Sequence, residues 1–212
     1  MAKPKHGYDE SKIKTLSSLE HIRVRTGMYI GRTGDGSQYE DGIYILLKEV
    51  IDNAVDEFIM GFGSTIEIRL DDGRVEVRDY GRGIPLGKIV DCVSTINTGA
   101  KYNDDVFQFS VGLNGVGTKA VNALSREFLV RSYRDGRFAE ARFARGTLQE
   151  QKQGRDADAR DGTFVAFTPD PEIFGKSTYR EPHVLRRLRF YAWLNAGLTL
   201  RYNGQSIASE NG

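Results

Sequence analysis

Asp79-Tyr80-Gly81-Arg82-Gly83-Ile84-Pro85 closes an alternating segment, Arg74 to Asp79, in a turn that holds two glycines and a proline. Alternation of apolar and polar residues is the signature of a half-buried strand. The backbone of a turn with two glycines can come very close to a ligand. An aspartate placed where such a strand stops can accept a hydrogen bond from an exocyclic amine; a plain strand-to-helix turn with a surface aspartate is the alternative. Just upstream, Thr65 to Leu70 alternates as well, and Asp71-Asp72-Gly73 between the two segments suits a tight hairpin.

Before this hairpin, Gly42 to Met60 carries Ile43, Leu46, Leu47, Val50, Ile51, Ala54, Val55 and Phe58 at helical spacing. At about 100° per residue, Glu49, Asn53 and Asp56 form a polar stripe beside the apolar one. An ordinary solvated helix face is the plain reading of Glu49 and Asn53. Glu57 falls inside the apolar arc near Val50, where an unpaired carboxylate is costly. It needs a cation, and Arg82 in the glycine turn is the candidate.

Downstream, the reading gives a helix near Leu86 to Thr95, a glycine-bearing loop from Gly99 to Gly117 and a helix from Thr118 to Leu124. A second hairpin, Glu127 to Tyr133 with Arg137 to Ala144, turns at Asp135-Gly136. A charged loop from Arg155 to Asp161 precedes a strand at Thr163 to Thr168. A helix at about Glu181 to Asn195 is expected to turn Val184, Leu185, Leu188, Tyr191 and Trp193 toward a core, before a strand at Leu198 to Tyr202 and a hairpin turn at Tyr202 to Gln205. Strands and helices come in clusters, not in strict alternation. The expected class is therefore α+β, a two-layer α/β sandwich with a mixed, mostly antiparallel sheet and helices on one face.

A chain of 212 residues buries roughly 70 % of its unfolded surface, enough for one sizeable core. Hydrophobic residues at 39 % and charged residues at 28 % exclude neither folding nor solubility, and no apolar run is long enough to span a bilayer. The net charge of +1 argues against a broad phosphate-backbone footprint, so a nucleic-acid partner must be held by other parts of the protein. Cys92 is the single cysteine, and no secretory leader opens the chain; a reducing cytoplasm is the expected compartment. The chain ends on Ala208 to Gly212 without cap or stop logic, which reads as a fragment of a longer polypeptide.

Gly112-Leu113-Asn114-Gly115-Val116-Gly117 leads into the helix at Thr118, where successive N–H groups and the helix dipole would favour a phosphate. No Gly-Lys-Ser/Thr follows, so it is not a P-loop. His6, His21 and His183 are scattered and no Cys/His spacing suits zinc. A magnesium ion shared between ligand phosphates and one or two protein oxygens fits better, with Asn53 as its ligand.

In order, Glu49-x-x-x-Asn53-x-x-Asp56-Glu57, Asp79-x-Gly81-Arg82-Gly83-Ile84-Pro85, Gly112 to Gly117 and Asp161-Gly162-Thr163 resemble the motif series of the GHKL, or Bergerat-fold, ATPases. Arg25-Thr26-Gly27-Met28-Tyr29-Ile30-Gly31 and Ala120 to Ser125 resemble specifically the B subunits of DNA gyrase and topoisomerase IV. The match runs from about Tyr8 to Pro169. The resemblance implies ATP and Mg²⁺ as cofactors, with Glu49 as general base for the attacking water and Asn53 as the metal ligand. It implies that Asp79 accepts the adenine amino group, with Thr163 beside it, and that Arg82, Gly83, Ile84 and Pro85 line the pocket. Lys101 and Gly112, Leu113, Asn114, Gly115, Val116 and Gly117 would form a phosphate-holding lid. Arg134 would sit at the mouth and hold coumarin-type inhibitors. Tyr8 and Ile13 would belong to an N-terminal arm, residues 1–15, that reaches the other protomer when ATP drives dimerisation of B subunits; residues 16–212 would be the ATP-binding domain, lacking the transducer domain that follows in such proteins. The DNA-cleaving A subunit and DNA would be partners through the full-length chain.

The chain departs from the family pattern at Tyr80, Val111, Thr26, Asn114 and Gln108. Gln108 within Phe107 to Ser110 looks more like topoisomerase IV than gyrase. Two other readings compete: a sensor-kinase catalytic domain, for which no phosphoacceptor-type histidine helix precedes the motifs, and a nucleotide-binding module without turnover, which would not need Glu49.

Overall fold

The structure, a computed structural model, describes residues 15–96 and 115–208. Tyr8, Ile13, Lys101, Gly112, Leu113 and Asn114, together with nearly all of the expected arm, lie outside the described residues. Helix α1 (Ser18–Val24) opens on a capping box, with Glu20 N donating to Ser17 Oγ at 3.3 Å and Ser17 N donating to Glu20 Oε2 at 2.8 Å. Two donors that a first helical turn leaves unpaired are thereby met. After the single turn α2 (Gly27–Ile30) comes α3 (Gly42–Ile59), the long helix that the apolar stripe predicts.

Strands β1 (Thr65–Asp71) and β2 (Arg74–Asp79) form the expected hairpin. Asp72 and Gly73 both take positive φ, at 44° and 75°, the twist that a two-residue connection of this kind requires. A 3-10 turn at Leu86–Lys88 leads into α4 (Ile89–Ser94), and α5 (Gly117–Ala123) leads into β3 (Ser125–Arg134). Then follow β4 (Arg137–Ala144), β5 (Thr147–Arg155), β6 (Gly162–Pro169), α6 (Pro171–Phe174), α7 (Glu181–Leu194), β7 (Thr199–Tyr202) and β8 (Gln205–Ala208).

Among the described residues these strands make one sheet of eight, in the order β5-β4-β3-β6-β2-β1-β7-β8. Every neighbouring pair is antiparallel except β1 with β7. Ile66, Ile68, Val75, Val77, Phe128, Val130, Val165 and Phe167 point to one face and are buried. Helices α3 and α5 pack on that face. The alternate residues, Glu67, Arg69, Glu76, Arg78, Arg131 and Arg142, belong to the opposite face, which carries ion pairs such as Arg74–Glu76 and Arg142–Glu140, each at 3.0 Å. The α+β sandwich expected from the clustering of elements is the fold observed.

Helix α3 is enclosed on more sides than its wheel implies. Asp52 and Asp56 are buried as fully as the apolar stripe. Asp52 receives Lys48 Nζ from its own helix and Tyr191 O–H from α7. Tyr44 is buried with its hydroxyl satisfied twice, donating to Gly36 O at 2.8 Å and accepting from Arg180 N at 2.8 Å. The solvated-face reading of Glu49 and Asn53 fails because α5 lies against them, Thr118 bonding Asn53 and Gly117 abutting Glu49, and both residues are half-buried.

One expectation along the chain needs correction, and one strand has no counterpart in the sequence reading. Trp193 does not enter the core: it is 54 % exposed and packs edge-on against Phe190, while Val184 and Leu188 are fully buried. At about 100° per residue, Trp193 lies far round the helix from the Val184–Leu188 stripe. Strand β5 was not legible because it is an edge strand with nearly every residue exposed, so Thr147 to Arg155 carries no apolar alternation.

Candidate functional site

Asp79 is the last residue of β2, and the alternation that buries Val75 and Val77 turns its side chain to the helix-covered face. Its Oδ1 accepts two backbone N–H groups, Gly81 N at 2.9 Å and Thr163 N at 3.1 Å. Among the described residues Oδ2 takes no hydrogen bond. Burial pushes the Asp79 carboxyl up to about 6, against the opposing pull of the two N–H donors and of Arg78. A buried carboxylate with one oxygen anchored and the other open is suited to receive an amine donor.

The turn that follows is fastened at both ends. Glu57 accepts from Arg82 Nε at 3.0 Å and Nη2 at 2.9 Å, and its Oε2 also accepts from Arg82 N at 2.8 Å. The pairing inferred from the wheel is a bidentate fork, the strongest geometry for these groups. The Arg82 guanidinium lies 4.4 Å from the centre of the Phe62 ring. At Gly83, with φ of 71°, a Cβ would fall 2.6 Å from Tyr133 O and 2.8 Å from Ser132 Oγ. Only glycine allows the turn to lie flat on β3, where Ser132 Oγ donates to Ile84 O at 2.6 Å and Arg134 Nη1 reaches Gly83 O at 3.4 Å.

At the other end of the site, α3 faces the start of α5. Asn53 Nδ2 donates to Glu49 O and to Thr118 Oγ1, both at 2.8 Å. A backbone carbonyl only accepts, so this bond fixes which end of the amide is nitrogen; Oδ1 is the oxygen of the type that a hard cation takes. A Cβ on Gly117 would lie 1.9 Å from Glu49 Oε2, so the α5 backbone presses directly on that carboxylate. Gly115 and Val116 lead into α5, and Lys119 Nζ, buried under the turn, donates to Gly115 O. Glu49 and Glu57 are eight residues apart on one helix, about 12 Å.

The described motif residues thus gather into two ends joined by α3: Asp79, Thr163, Gly81 and Arg82 at one, Glu49, Asn53, Gly117 and Thr118 at the other. A groove of about 920 Å³ lies on the opposite sheet face among Glu67, Arg69, Glu76, Phe164 and Arg201. Its walls mix apolar residues with charged side chains, among them the pairs Arg201–Glu67 and Arg69–Asp71, and it holds none of the motif residues. Two groups flanking the site had no sequence signal that was read. Arg78 looks like any outward strand residue, and Tyr191 meets Asp52 only through tertiary packing. Asp41, buried at the start of α3, turns its carboxylate to Gly36 N and Gln38 N instead of capping the helix.

The chain is similar to known proteins along nearly its whole length. The chain is 63 % identical over 205 residues to the B subunit of DNA topoisomerase 4 from Borreliella burgdorferi, covering 97 % of this chain and 34 % of that protein. It is 39 % identical over 214 residues to the B subunit of DNA gyrase from Thermus thermophilus, covering 96 % of this chain and 33 % of the relative. The chain therefore spans about a third of the length of these curated relatives. Among solved structures, the 43K ATPase domain of Thermus thermophilus gyrase B in complex with an aminocoumarin superposes with a TM-score of 0.75 at 33 % identity, over 92 % of this chain and 52 % of that one. The family model for the histidine kinase-, DNA gyrase B- and HSP90-like ATPases matches residues 38–172, which contain Glu49, Asn53, Asp79, Gly117 and Thr163, and the chain belongs to that family.

Proposed function

We propose that this chain binds and hydrolyses ATP as the N-terminal ATPase domain in the B subunit of a type II DNA topoisomerase. The observation that carries this reading is Asp79: a buried carboxylate at the end of a strand, one oxygen tied to Gly81 N and Thr163 N and the other open, at a glycine turn fastened by Glu57 and Arg82. That arrangement suits the adenine amine. Glu49, pressed against Gly117, is the group of the right chemistry to take a proton from an attacking water. Asn53 would hold Mg²⁺ through Oδ1, and the ion would neutralise charge on the phosphates. Gly115, Val116 and Gly117, with Gly112, Leu113, Asn114 and Lys101 outside the described residues, would cradle the phosphates.

By the same reading, residues 1–15, with Tyr8 and Ile13, form the arm exchanged in an ATP-dependent dimer, and residues 16–212 form the nucleotide-binding domain. The A subunit and DNA are partners of the longer protein, and the cytoplasm is its compartment. Arg134, which reaches the carbonyl of Gly83, would line the pocket mouth and hold a coumarin-type inhibitor; that the Thermus thermophilus neighbour is in complex with an aminocoumarin supports such a ligand for the pocket. The greater identity to the topoisomerase 4 relative than to the gyrase relative favours the former branch.

Phosphate release by the full-length protein, measured with and without DNA, tests the proposal. DNA-stimulated hydrolysis is the expected result. Transfer of the γ-phosphate onto protein would replace it with a kinase reading, and ATP binding without turnover would reduce the chain to a binding module. Decatenation against supercoiling by the reconstituted complex separates the two topoisomerase branches.

A further inference from the structure

We infer that Arg78, on the far face of the sheet from the pocket, is a positioning residue that sets recognition of the purine amine by Asp79. The inference rests on the adenine-binding reading of Asp79 given above.

Strand alternation places Arg78 behind Asp79, outside the pocket. Its guanidinium is nonetheless fully engaged. Nη1 donates to Asp79 O at 2.7 Å, and Nη2 donates to Arg160 O, with Asp161 O at 3.5 Å. The same group lies 4.8 Å from the centre of the Tyr80 ring and 4.5 Å from that of Tyr133, with Arg160 over Tyr80 at 4.5 Å. One planar cation therefore ties three backbone carbonyls, from β2 and from the segment before β6, and aromatic faces hold it in place.

What those carbonyls position is the donor to Asp79. Gly162 follows Asp161 and lies so close that a Cβ there would meet Asp79 O at 2.3 Å and Arg78 Nη1 at 2.7 Å. The next residue is Thr163, whose N–H anchors Asp79 Oδ1. If the 160–162 segment drifts, that anchor goes with it, and Oδ2 loses its fixed direction. A second tie on the segment, Asp135 N donating to Asp161 Oδ1 at 2.9 Å, comes from the β3–β4 turn and is exposed. Partial burial lowers the Arg78 pKa, opposed by Asp79 and its other neighbours.

A lysine can keep the charge but cannot span three carbonyls with one planar fork. The test is equilibrium binding of ATP and of purine riboside triphosphate, which lacks the exocyclic amine, to full-length protein carrying Arg78→Lys, with Asp161→Ala as an exposed variant that leaves the half-buried guanidinium intact. Arg78→Lys should weaken ATP about tenfold or more, the scale of a charge-assisted hydrogen bond, while leaving the amine-free nucleotide within about twofold, so that discrimination collapses. Asp161→Ala should shift discrimination in the same direction by less. Equal weakening of both nucleotides would assign Arg78 a merely structural role, and unchanged ATP affinity in both variants would overturn the inference. Asp79→Ala separates the two levels of argument: if it also spares ATP discrimination, the adenine-site reading itself fails, whereas if it abolishes discrimination and Arg78→Lys does not, only the role of Arg78 is lost.

Discussion

Replacing Asp79 with asparagine should stabilise the nucleotide-free protein while weakening ATP. Burial raises the Asp79 carboxyl from 3.8 to about 6. A carboxyl whose folded pKa lies above its unfolded value favours the folded state when protonated, and that contribution is lost as pH rises through the folded value. At pH 7 the ionised side chain therefore costs the fold about 3 kcal/mol, at about 1.36 kcal/mol per pKa unit. Asparagine is near in shape, can accept from Gly81 N and Thr163 N through its oxygen, and carries no charge to desolvate. The gain for Asp79→Asn should be about 3 kcal/mol at pH 7 and about half that at pH 5, because the folded parent is then mostly protonated. For a domain of this size that corresponds to roughly 6 to 12 °C in Tm at neutral pH.

The same change places an N–H₂ donor where the open oxygen was, facing the donor amine of adenine. Loss of a charge-assisted hydrogen bond is worth about 1.5 to 3 kcal/mol, or roughly 10- to 150-fold in affinity. Denaturant unfolding from pH 5 to pH 7, run beside calorimetric titration with ATP, reads both arms. A variant less stable than the parent at pH 7, or a stability difference that does not grow with pH, would refute the account of Asp79 as an under-compensated buried charge.

Glu49→Gln should keep ATP binding within a few-fold and lose about 10² to 10⁴ in turnover, measured by phosphate release; parental turnover would move the base elsewhere. In a double-mutant cycle to alanine, Glu57 and Arg82 should show coupling of about 0.5 to 3 kcal/mol in unfolding free energy, and a coupling near zero would contradict the fork seen between them. Gly117→Ala puts a methyl group in the volume of Glu49 Oε2 and should abolish hydrolysis even where the protein remains folded by circular dichroism. Arg134→Ala should weaken novobiocin while sparing most ATP affinity, and unchanged inhibitor affinity would remove Arg134 from the pocket mouth.

Much of this site was legible because its physics is local. The helical wheel of α3 is enough to strand Glu57 among apolar residues, and the need for a cation points to Arg82. The glycines of the turn after β2 announce a close approach, and the structure supplies its partners in Ser132 and Tyr133. What stayed hidden depends on distant residues. Asp52 looks like a solvated helix position until Tyr191 of α7 reaches it, and Asp56 is buried as well. Arg78 is indistinguishable in sequence from Arg69 or Arg74, because the Arg160 and Asp161 carbonyls it holds lie more than eighty residues away. Ser17 and Glu20 did carry a readable capping signal for α1, which the polar character of the surrounding sequence obscured.

The buried carboxylates also separate by how their charge is met, and that difference points to the site independently of any motif. Asp170 is enclosed as fully as Asp79, yet Arg145 Nε at 2.9 Å and Arg23 Nη2 at 2.8 Å outweigh its burial and hold its pKa below the usual range. Glu140, on the opposite sheet face, is treated likewise by Lys152 and Arg131, with Arg142 beside them. These groups are satisfied within the fold, so protonating them as pH falls through their lowered values removes stability. Asp79 has backbone donors on one oxygen and, from Arg78, only a cation behind the strand, and its pKa moves the other way. A fold that compensates Asp170 and Glu140 so completely could have done the same for Asp79. Leaving it short of one donor conserves that interaction for a ligand, and the part of the cost of its burial that the protein does not offset is what an incoming amine can recover as binding free energy.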